Sequence, residues 1–353
     1  MRYVSAMRPD GSQVVVSPRG GGWVQHPFNY RGVDYARRTY VLGGRTYDRY
    51  YRIYPWRDMR LSVYSPTVVY PYQYYIWLRR GWGSRLSVSW GWQSAGWYGA
   101  YGGAFAPYPT YYSPAMWITD YALADSMNTA YQQDQAQQYQ AQQDPTQQGQ
   151  GGDGAIDPQT DITPMPTDVK YGVTREIQGD IATLQRESQL GSTGVADSPS
   201  GSIAELLSDN LSHTFVAGDT MMFVQSNGDE CKLTPGDTVL YAPPAPQPGA
   251  DAVNVQVSWS KDHRDCAAGS TVTVLLSDLQ EMHNHMLAKV DQGINELHTQ
   301  QAAGKLPQAQ GVSSVPTTQG FVSAAPASGS NAQAEVSAQS READKVEDGV
   351  THP

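Results

Sequence analysis

Apolar and polar positions along this chain follow two different periods, and each period has its own stretch. In residues 252–260, Val253, Val255, Val257 and Trp259 alternate with Asn254, Gln256 and Ser258, the period of two that a half-buried strand requires. Short β-type runs also fall at 213–216, 220–225, 231–233, 239–241 and 271–276, with turns at Asn227-Gly228 and Pro235-Gly236-Asp237. Six short strands within residues 203–276 predict a small barrel or sandwich. Beyond them, Leu279, Met282, Met286, Val290, Ile294 and Leu297 recur at helical spacing, and Ser277-Asp278-Leu279-Gln280 spells a capping box. A helix is therefore expected over 277–303. Its stripe predicts either packing on the module or self-association with a second copy.

Two further helices are expected. Ser113-Pro114 opens one over 113–131, with Ser as N-cap and Pro at the first helical position; Trp117, Tyr121, Ala124, Met127 and Tyr131 follow at steps of three and four. Val169, Val173, Ile177, Ile181 and Leu184 stripe the other, over 167–190, with Thr167 as cap. Gly172 and Gly179 weaken that helix by roughly 1 kcal/mol each relative to Ala. Residues 1–112 carry β signals instead: Gly43-Gly44 between β-type runs, and Pro9-Asp10-Gly11 before Val14-Val15-Val16. From Tyr70 to Tyr112 the Gly/Pro/aromatic text suggests short strands and loops. Residues 132–166 and 191–202 are expected to be disordered linkers, and 304–353 an unfolded tail. The resulting fold class is mainly β with three helices: a Tyr/Trp-rich β segment plus a small disulfide-stapled β-barrel or sandwich, separated by disordered linkers.

The N-terminal end is set apart by its composition. Of 23 Tyr, 20 lie at or before Tyr131, as do 8 of 9 Trp, whereas Leu, Ile, Val and Phe total only 61 of 353 residues. Large rings each bury about 150–250 Å² and can replace missing aliphatics. The first hundred residues hold 14 Arg, no Lys and four acidic residues, a net charge of +10, against −20 for the remainder. Arg stacks on rings and binds phosphate or carboxylate, and Tyr and Trp stack on sugars or bases. Three readings follow: rings filling a core with arginines decorating its surface, a polysaccharide or envelope contact surface, or single-stranded nucleic-acid binding. The absence of lysine and of RNA-module signatures counts against the last. The candidate surface comprises Arg49, Arg52, Tyr54, Trp56, Arg57, Trp77, Arg79, Arg80, Trp82, Trp90, Trp92 and Trp97.

Cys231 and Cys266 are the only cysteines. A disulfide would staple an undersized module. Free thiols are the plain alternative, and a zinc site lacks the paired spacing it needs. A disulfide places the protein outside reducing compartments, in the extracellular space, cell envelope or periplasm. The chain opens at Met1 in strand-like sequence without a basic-then-apolar segment, so an export signal is expected upstream. No apolar run approaches the ~20 residues of a membrane helix.

Catalytic signatures are sparse. There is no phosphate-binding loop, nucleophile elbow or His-Glu-x-x-His. His283 and His285 diverge by about 200° on a helix and cannot share a metal. Asp219, Asp237, Asp262 and His263 are the only grouping that suggests a hydrolase cleft, and turn aspartates usually bond their own backbone. No cofactor or metal is expected.

The run from Trp97-Tyr98-Gly99-Ala100-Tyr101-Gly102-Gly103 through Pro107-Tyr108-Pro109 to Trp117-Ile118-Thr119-Asp120-Tyr121, followed by Cys231-Lys232-Leu233-Thr234-Pro235-Gly236-Asp237 and Ser277-Asp278-Leu279-Gln280-Glu281-Met282-His283-Asn284, resembles a group of uncharacterised exported proteins of acidobacterial type. The likeness spans residues 30–131 and 165–307. It implies export and a pair of modules, and no activity. The expected function is a non-enzymatic, exported or envelope-associated interaction protein, contacting cell-wall polysaccharide or another envelope protein through its aromatic/Arg-rich half. An intracellular nucleic-acid binder and a hydrolase on the β-module are the alternatives.

Overall fold

The computed structural model describes residues 4–16, 21–42, 44–56, 59–143, 162–190, 201–225, 228–262, 265–327 and 331–351. The chain divides into two compact units. The first comprises residues 1–55, 132–154 and 320–353. In it, β1 (Val4–Met7), β2 (Gln13–Val16), β3 (Gly22–Tyr30), β4 (Val33–Leu42) and β5 (Arg45–Trp56) form an antiparallel meander. The pairing Leu42↔Arg45 leaves two residues in the β4–β5 turn, and Gly44 there has φ 74°, which suits glycine; Gly43 lies outside the described residues. Tyr40 and Tyr51 share a 2.6 Å hydroxyl hydrogen bond, and the Arg38 guanidinium stacks on Trp23 and Tyr51 at 3.9 and 4.2 Å.

Two helices belong to the same unit, α7 (Phe321–Ala324) and α8 (Ala332–Thr351). Phe321 stacks on Tyr35 at 4.6 Å. Ala332 and Val336 bury against Val14, Val16, Val24 and Val41. The segment expected to be unfolded thus carries a helix. Two apolar positions one turn apart are enough to seat it and too few to register as a periodicity.

The second unit, residues 56–131 and 155–319, holds β6 (Met59–Ser65), β7 (Val68–Val69), α1 (Tyr72–Arg79), α2 (Gly96–Tyr101), the first part of α3 (Pro114–Gln143), α4 (Thr167–Leu190), α5 (Ile203–Leu206), β8 (His213–Val216), β9 (Met221–Gln225), β10 (Glu230–Leu233), β11 (Thr238–Tyr241), β12 (Ala252–Trp259), β13 (Thr271–Leu275), α6 (Leu276–Ala302) and β14 (Thr317–Thr318). The last pairs with β7. Strands β8 to β13 make one antiparallel sheet in the order β10-β9-β13-β12-β11-β8, an open half-barrel. Its six strands coincide with the six runs expected, and Val255, Val257 and Trp259 are buried while Asn254 and Gln256 are exposed. Cys231 and Cys266 form the disulfide, with Cα atoms 5.0 Å apart.

The fold class needs correcting. Eight α-helices occur among the described residues, and the architecture is mixed α/β, not mainly β with three helices. Helices α1 and α2 fall where aromatic text suggested strands. Tyr74, Tyr75, Leu78, Trp97 and Tyr101 are buried there, so tertiary burial overrides the β preference of aromatic residues. Helix α3 continues to Gln143, into the stretch read as linker; residues 144–161 and 191–200 of the expected linkers lie outside the described residues.

In α4, Val173, Ile177, Ile181 and Leu184 are buried, as expected of the stripe. Gly172 is required by contact: a Cβ there would meet Thr214 Oγ1 of β8 at 2.7 Å. The stripe of α6 is buried throughout, so this unit satisfies it without a second copy. The capping box does not form. Helix α6 begins at Leu276 without a side-chain cap, and Gln280 turns inward to accept from Ile203 N–H at 2.8 Å.

Candidate binding site

In the aromatic core of the second unit, a cleft of about 430 Å³ lies between the segment 87–92, helix α3, and the C-terminal end of α6. Trp90, Trp92, Trp117 and Tyr121 supply its rings; Glu296, Gln300 and Lys305 supply polar groups. The rings are stacked in series. Trp90 lies 4.1 Å from Trp92 and 4.9 Å from Trp117, and Trp117 lies 5.8 Å from Tyr121, with interplanar angles of 18°, 27° and 11°. Trp117 and Tyr121 are one helical turn apart on α3, which is why their rings run parallel. Glu296 and Gln300 have the same spacing on α6, and Gln300 Nε2 donates to Glu296 Oε1 at 2.6 Å. Burial, followed by the charge of Glu296, raises the Tyr121 phenol above its ordinary 10.0.

A buried relay holds Trp90. Trp90 Nε1 donates to Tyr111 OH at 2.6 Å, and Tyr111 OH donates to Asp120 Oδ2 at 2.6 Å. Asp120 Oδ2 also accepts from Tyr108 N–H at 2.6 Å, while Asp120 Oδ1 pairs with Lys170 Nζ of α4 at 2.5 Å. The Lys170 ammonium sits 3.8 Å from the centre of the Tyr108 ring. Burial raises the Asp120 carboxyl and lowers the Lys170 ammonium, and each offsets the other's shift. Such a pair specifies geometry more than it stabilises. Here it holds Tyr111, and through it the indole of Trp90.

The structure gives the residues expected to form one contact surface different surroundings. In the first unit, Arg49 is buried, with Tyr40 and Tyr47 at 5.3 and 5.4 Å, and Arg52 lies over the buried Tyr54 at 4.8 Å. Arg37 and Arg38 are buried as well. Arg38, Arg49 and Arg52 lie against rings, and Arg37 is buried beside the backbone carbonyls of Pro326 and Ala327. In the second unit, Trp56 is half-buried and Arg57 lies outside the described residues. Trp77 stacks on Tyr74 at 5.6 Å, Arg79 Nη1 donates to Gln185 Oε1 at 2.9 Å, and Arg80 is exposed. The Trp82 backbone N–H donates to Tyr112 O at 2.8 Å. Trp90 and Trp92 come together in the cleft, and the buried Trp97 packs 5.8 Å from Trp92. Trp117 and Tyr121 were legible only as helix-stripe residues. Glu296, Gln300 and Lys305 lie far away in the sequence and gave no signal beyond a polar i,i+4 pair.

The structure engages the three aspartates of the grouping Asp219, Asp237, Asp262 and His263 in local contacts. Asp237 is spent on Lys261 and Thr234, Asp219 accepts from Thr220 N–H at 2.8 Å, Asp262 bridges to Ile162, and His263 lies outside the described residues. His283 is buried 3.9 Å from Asp180 Oδ1, and burial lowers its imidazole to about 4. Nearby, His213 bonds Glu176 at 3.1 Å and Asp209 at 3.0 Å. Burial lowers the His213 imidazole, but the two carboxylates outweigh it and leave it raised to about 9. No group of three or more His, Cys, Asp or Glu among the described residues is placed to hold a metal ion, and no helix among them is long and apolar enough to cross a membrane. Comparison with known proteins returned no matching family model, curated sequence or solved structure.

Proposed function

We propose that the protein is a non-enzymatic, exported or envelope-associated binding protein whose cleft takes neutral cell-wall polysaccharide. The observation that carries this reading is the ring series Trp90, Trp92, Trp117 and Tyr121 beside one acid, one base and one amide, Glu296, Lys305 and Gln300. A pyranose ring has a C–H face that suits an indole and a rim of hydroxyls that suits mixed donors and acceptors. The volume is within the ~300–1,000 Å³ range of ligand sites.

The charge balance separates this ligand from single-stranded nucleic acid. A nucleic-acid groove needs cations along the phosphate backbone. The cleft's one lysine is matched by one glutamate, and Arg37, Arg38 and Arg49 are buried in the first unit. The Cys231–Cys266 disulfide supports a location beyond reducing conditions, in the extracellular space or the envelope, as does the resemblance to exported proteins. Co-sedimentation of the full chain with insoluble cell-wall polysaccharide tests the reading. Retention that survives high salt is expected. Salt-sensitive retention on single-stranded DNA, with none on polysaccharide, would overturn it in favour of a nucleic-acid binder.

A further inference from the structure

The half-barrel contains a charged cluster that the cleft does not use. Lys261 directly follows Ser260 at the end of β12, with its side chain 1% exposed, and Asp237, in the turn before β11, is 0% exposed. Lys261 Nζ lies 3.1 Å from Asp237 Oδ1, and the Lys261 backbone N–H donates to the same oxygen at 3.1 Å. Asp237 Oδ2 accepts from Thr234 N–H at 2.8 Å. A second carboxylate, Asp265, is joined to the amine through one hydroxyl: Thr234 Oγ1 is 2.7 Å from Asp265 Oδ2 and accepts from Lys261 Nζ. The buried Tyr101 ring lies 5.8 Å from that nitrogen.

We propose that Lys261 and Asp237 condense into an intramolecular isopeptide bond, with Asp265 moving the proton through Thr234. An amine, a carboxyl group and a second carboxylate in a dry interior are the components this reaction requires. The lysine gives up a proton through the Thr234 hydroxyl to Asp265, which frees the nitrogen lone pair, and the proton passes on to an Asp237 oxygen. The neutral amine attacks Asp237 Cγ. A C–N bond forms, the C–O bond breaks, and the hydroxyl leaves with a second amine hydrogen as water. Asp265 returns to its starting state. An ammonium and a carboxylate become one amide and one water, so charge and electrons balance without an oxidant or cofactor.

The surroundings favour the product. Two buried ions pay a desolvation cost that their attraction often fails to repay, whereas an amide carries no net charge. Burial and the neighbouring Asp237 raise the Asp265 carboxyl above 3.8, which suits a group that must hold a proton in transit. Lys232 also pairs with Asp265, at 3.1 Å, but its side chain is 29% exposed and so lies partly in solvent. The bond would join positions 24 apart. It would lie beside the disulfide, since Cys266 N–H donates to Lys232 O at 2.9 Å.

The test is the intact mass of the full chain after reduction of its disulfide, followed by tryptic mapping. A mass one water below that of the sequence is expected, with the peptides containing Lys261 and Asp237 linked and no cleavage after Lys261. Lys261→Arg should retain the water. Asp265→Asn should retain it with the disulfide still formed, and Asp265→Glu should restore the loss at a slower rate. A wild-type mass equal to that of the sequence overturns the proposal. So does a water lost elsewhere, for example at Asp10-Gly11, with the two peptides unlinked. Condensation of Asp265→Asn at the wild-type rate overturns the assigned role of Asp265. The wild-type mass decides the main point even if a variant fails to fold.

Discussion

Asp291 gives a prediction whose size follows from its surroundings. It lies in the middle of α6, is buried, and accepts from Tyr64 OH of β6 at 2.9 Å. Burial pushes its carboxyl from 3.8 up to about 6, against the smaller opposing effect of the Tyr64 bond. The folded state therefore holds this proton more tightly than the unfolded chain. A raised carboxyl contributes stability when it is protonated, at low pH, and that contribution is lost as pH rises from about 4 through about 6. At about 1.36 kcal/mol per pH unit, the interval comes to roughly 3 kcal/mol. Asp291→Asn keeps an oxygen that can accept from Tyr64 and cannot ionise. The variant should match the wild type within about 0.5 kcal/mol near pH 4 and exceed it by roughly 3 kcal/mol near pH 8. Urea unfolding of both chains at both pH values measures the double difference, in which every other titrating group cancels. An equal change at the two pH values, or a variant destabilised more at pH 8, would show that Asp291 is not held protonated by burial.

Other perturbations address separate parts of the structure. Replacing Cys231 and Cys266 by Ala releases a sequence separation of 35, and chain entropy sets the loss at about 3.8 kcal/mol; the shift in urea midpoint measures it, and an unchanged midpoint argues against a stapling role. Gly293→Ala sets helix propensity against packing, because the new Cβ would lie 2.9 Å from Ile118 Cγ2 and 3.3 Å from Tyr121 Cδ1; packing should win, with destabilisation of about 1–2 kcal/mol visible in thermal unfolding. Lys170→Met strands the Asp120 carboxylate and should cost about 3–5 kcal/mol, with a change in tryptophan emission as the Tyr111–Trp90 relay loosens. The His213 imidazole, raised to about 9, contributes stability that is full below about 6.5 and is lost as pH rises through about 9; NMR titration of its ring should place the midpoint well above that of a free histidine.

The β-module was legible because each of its strands is a short run bounded by Gly, Pro or Asn turns, and because Val255, Val257 and Trp259 alternate with polar neighbours. Helices α4 and α6 were legible for the same reason at the helical period. What was not legible depends on long-range contact. Tyr72-Gln73-Tyr74-Tyr75-Ile76-Trp77 has strand-like composition, yet Tyr74 and Tyr75 are buried in the aromatic core as part of a helix. Gln280 has the right place for a capping box, but a buried backbone N–H at Ile203 competes for its side chain. Half of the candidate site was flagged by composition, through Trp90 and Trp92. The other half arrives from α6 and from Lys305, and only the packing of α6 against α3 brings those groups together. Lys261 showed no feature in sequence at all. A lone lysine after a strand is ordinarily solvated, and its burial is evident only from the positions of Asp237 and Thr234.

Binding of a neutral polysaccharide to the Trp90–Tyr121 cleft is the claim on which the functional account stands. Affinity electrophoresis of the native full chain, in gels with and without soluble cell-wall polysaccharide, tests it directly. The wild type should be retarded by the polysaccharide, Gln300→Ala should be retarded less, and Trp92→Ala should migrate as if no ligand were present while retaining its disulfide and its far-ultraviolet circular dichroism. Equal mobility of the wild type with and without polysaccharide would contradict the account.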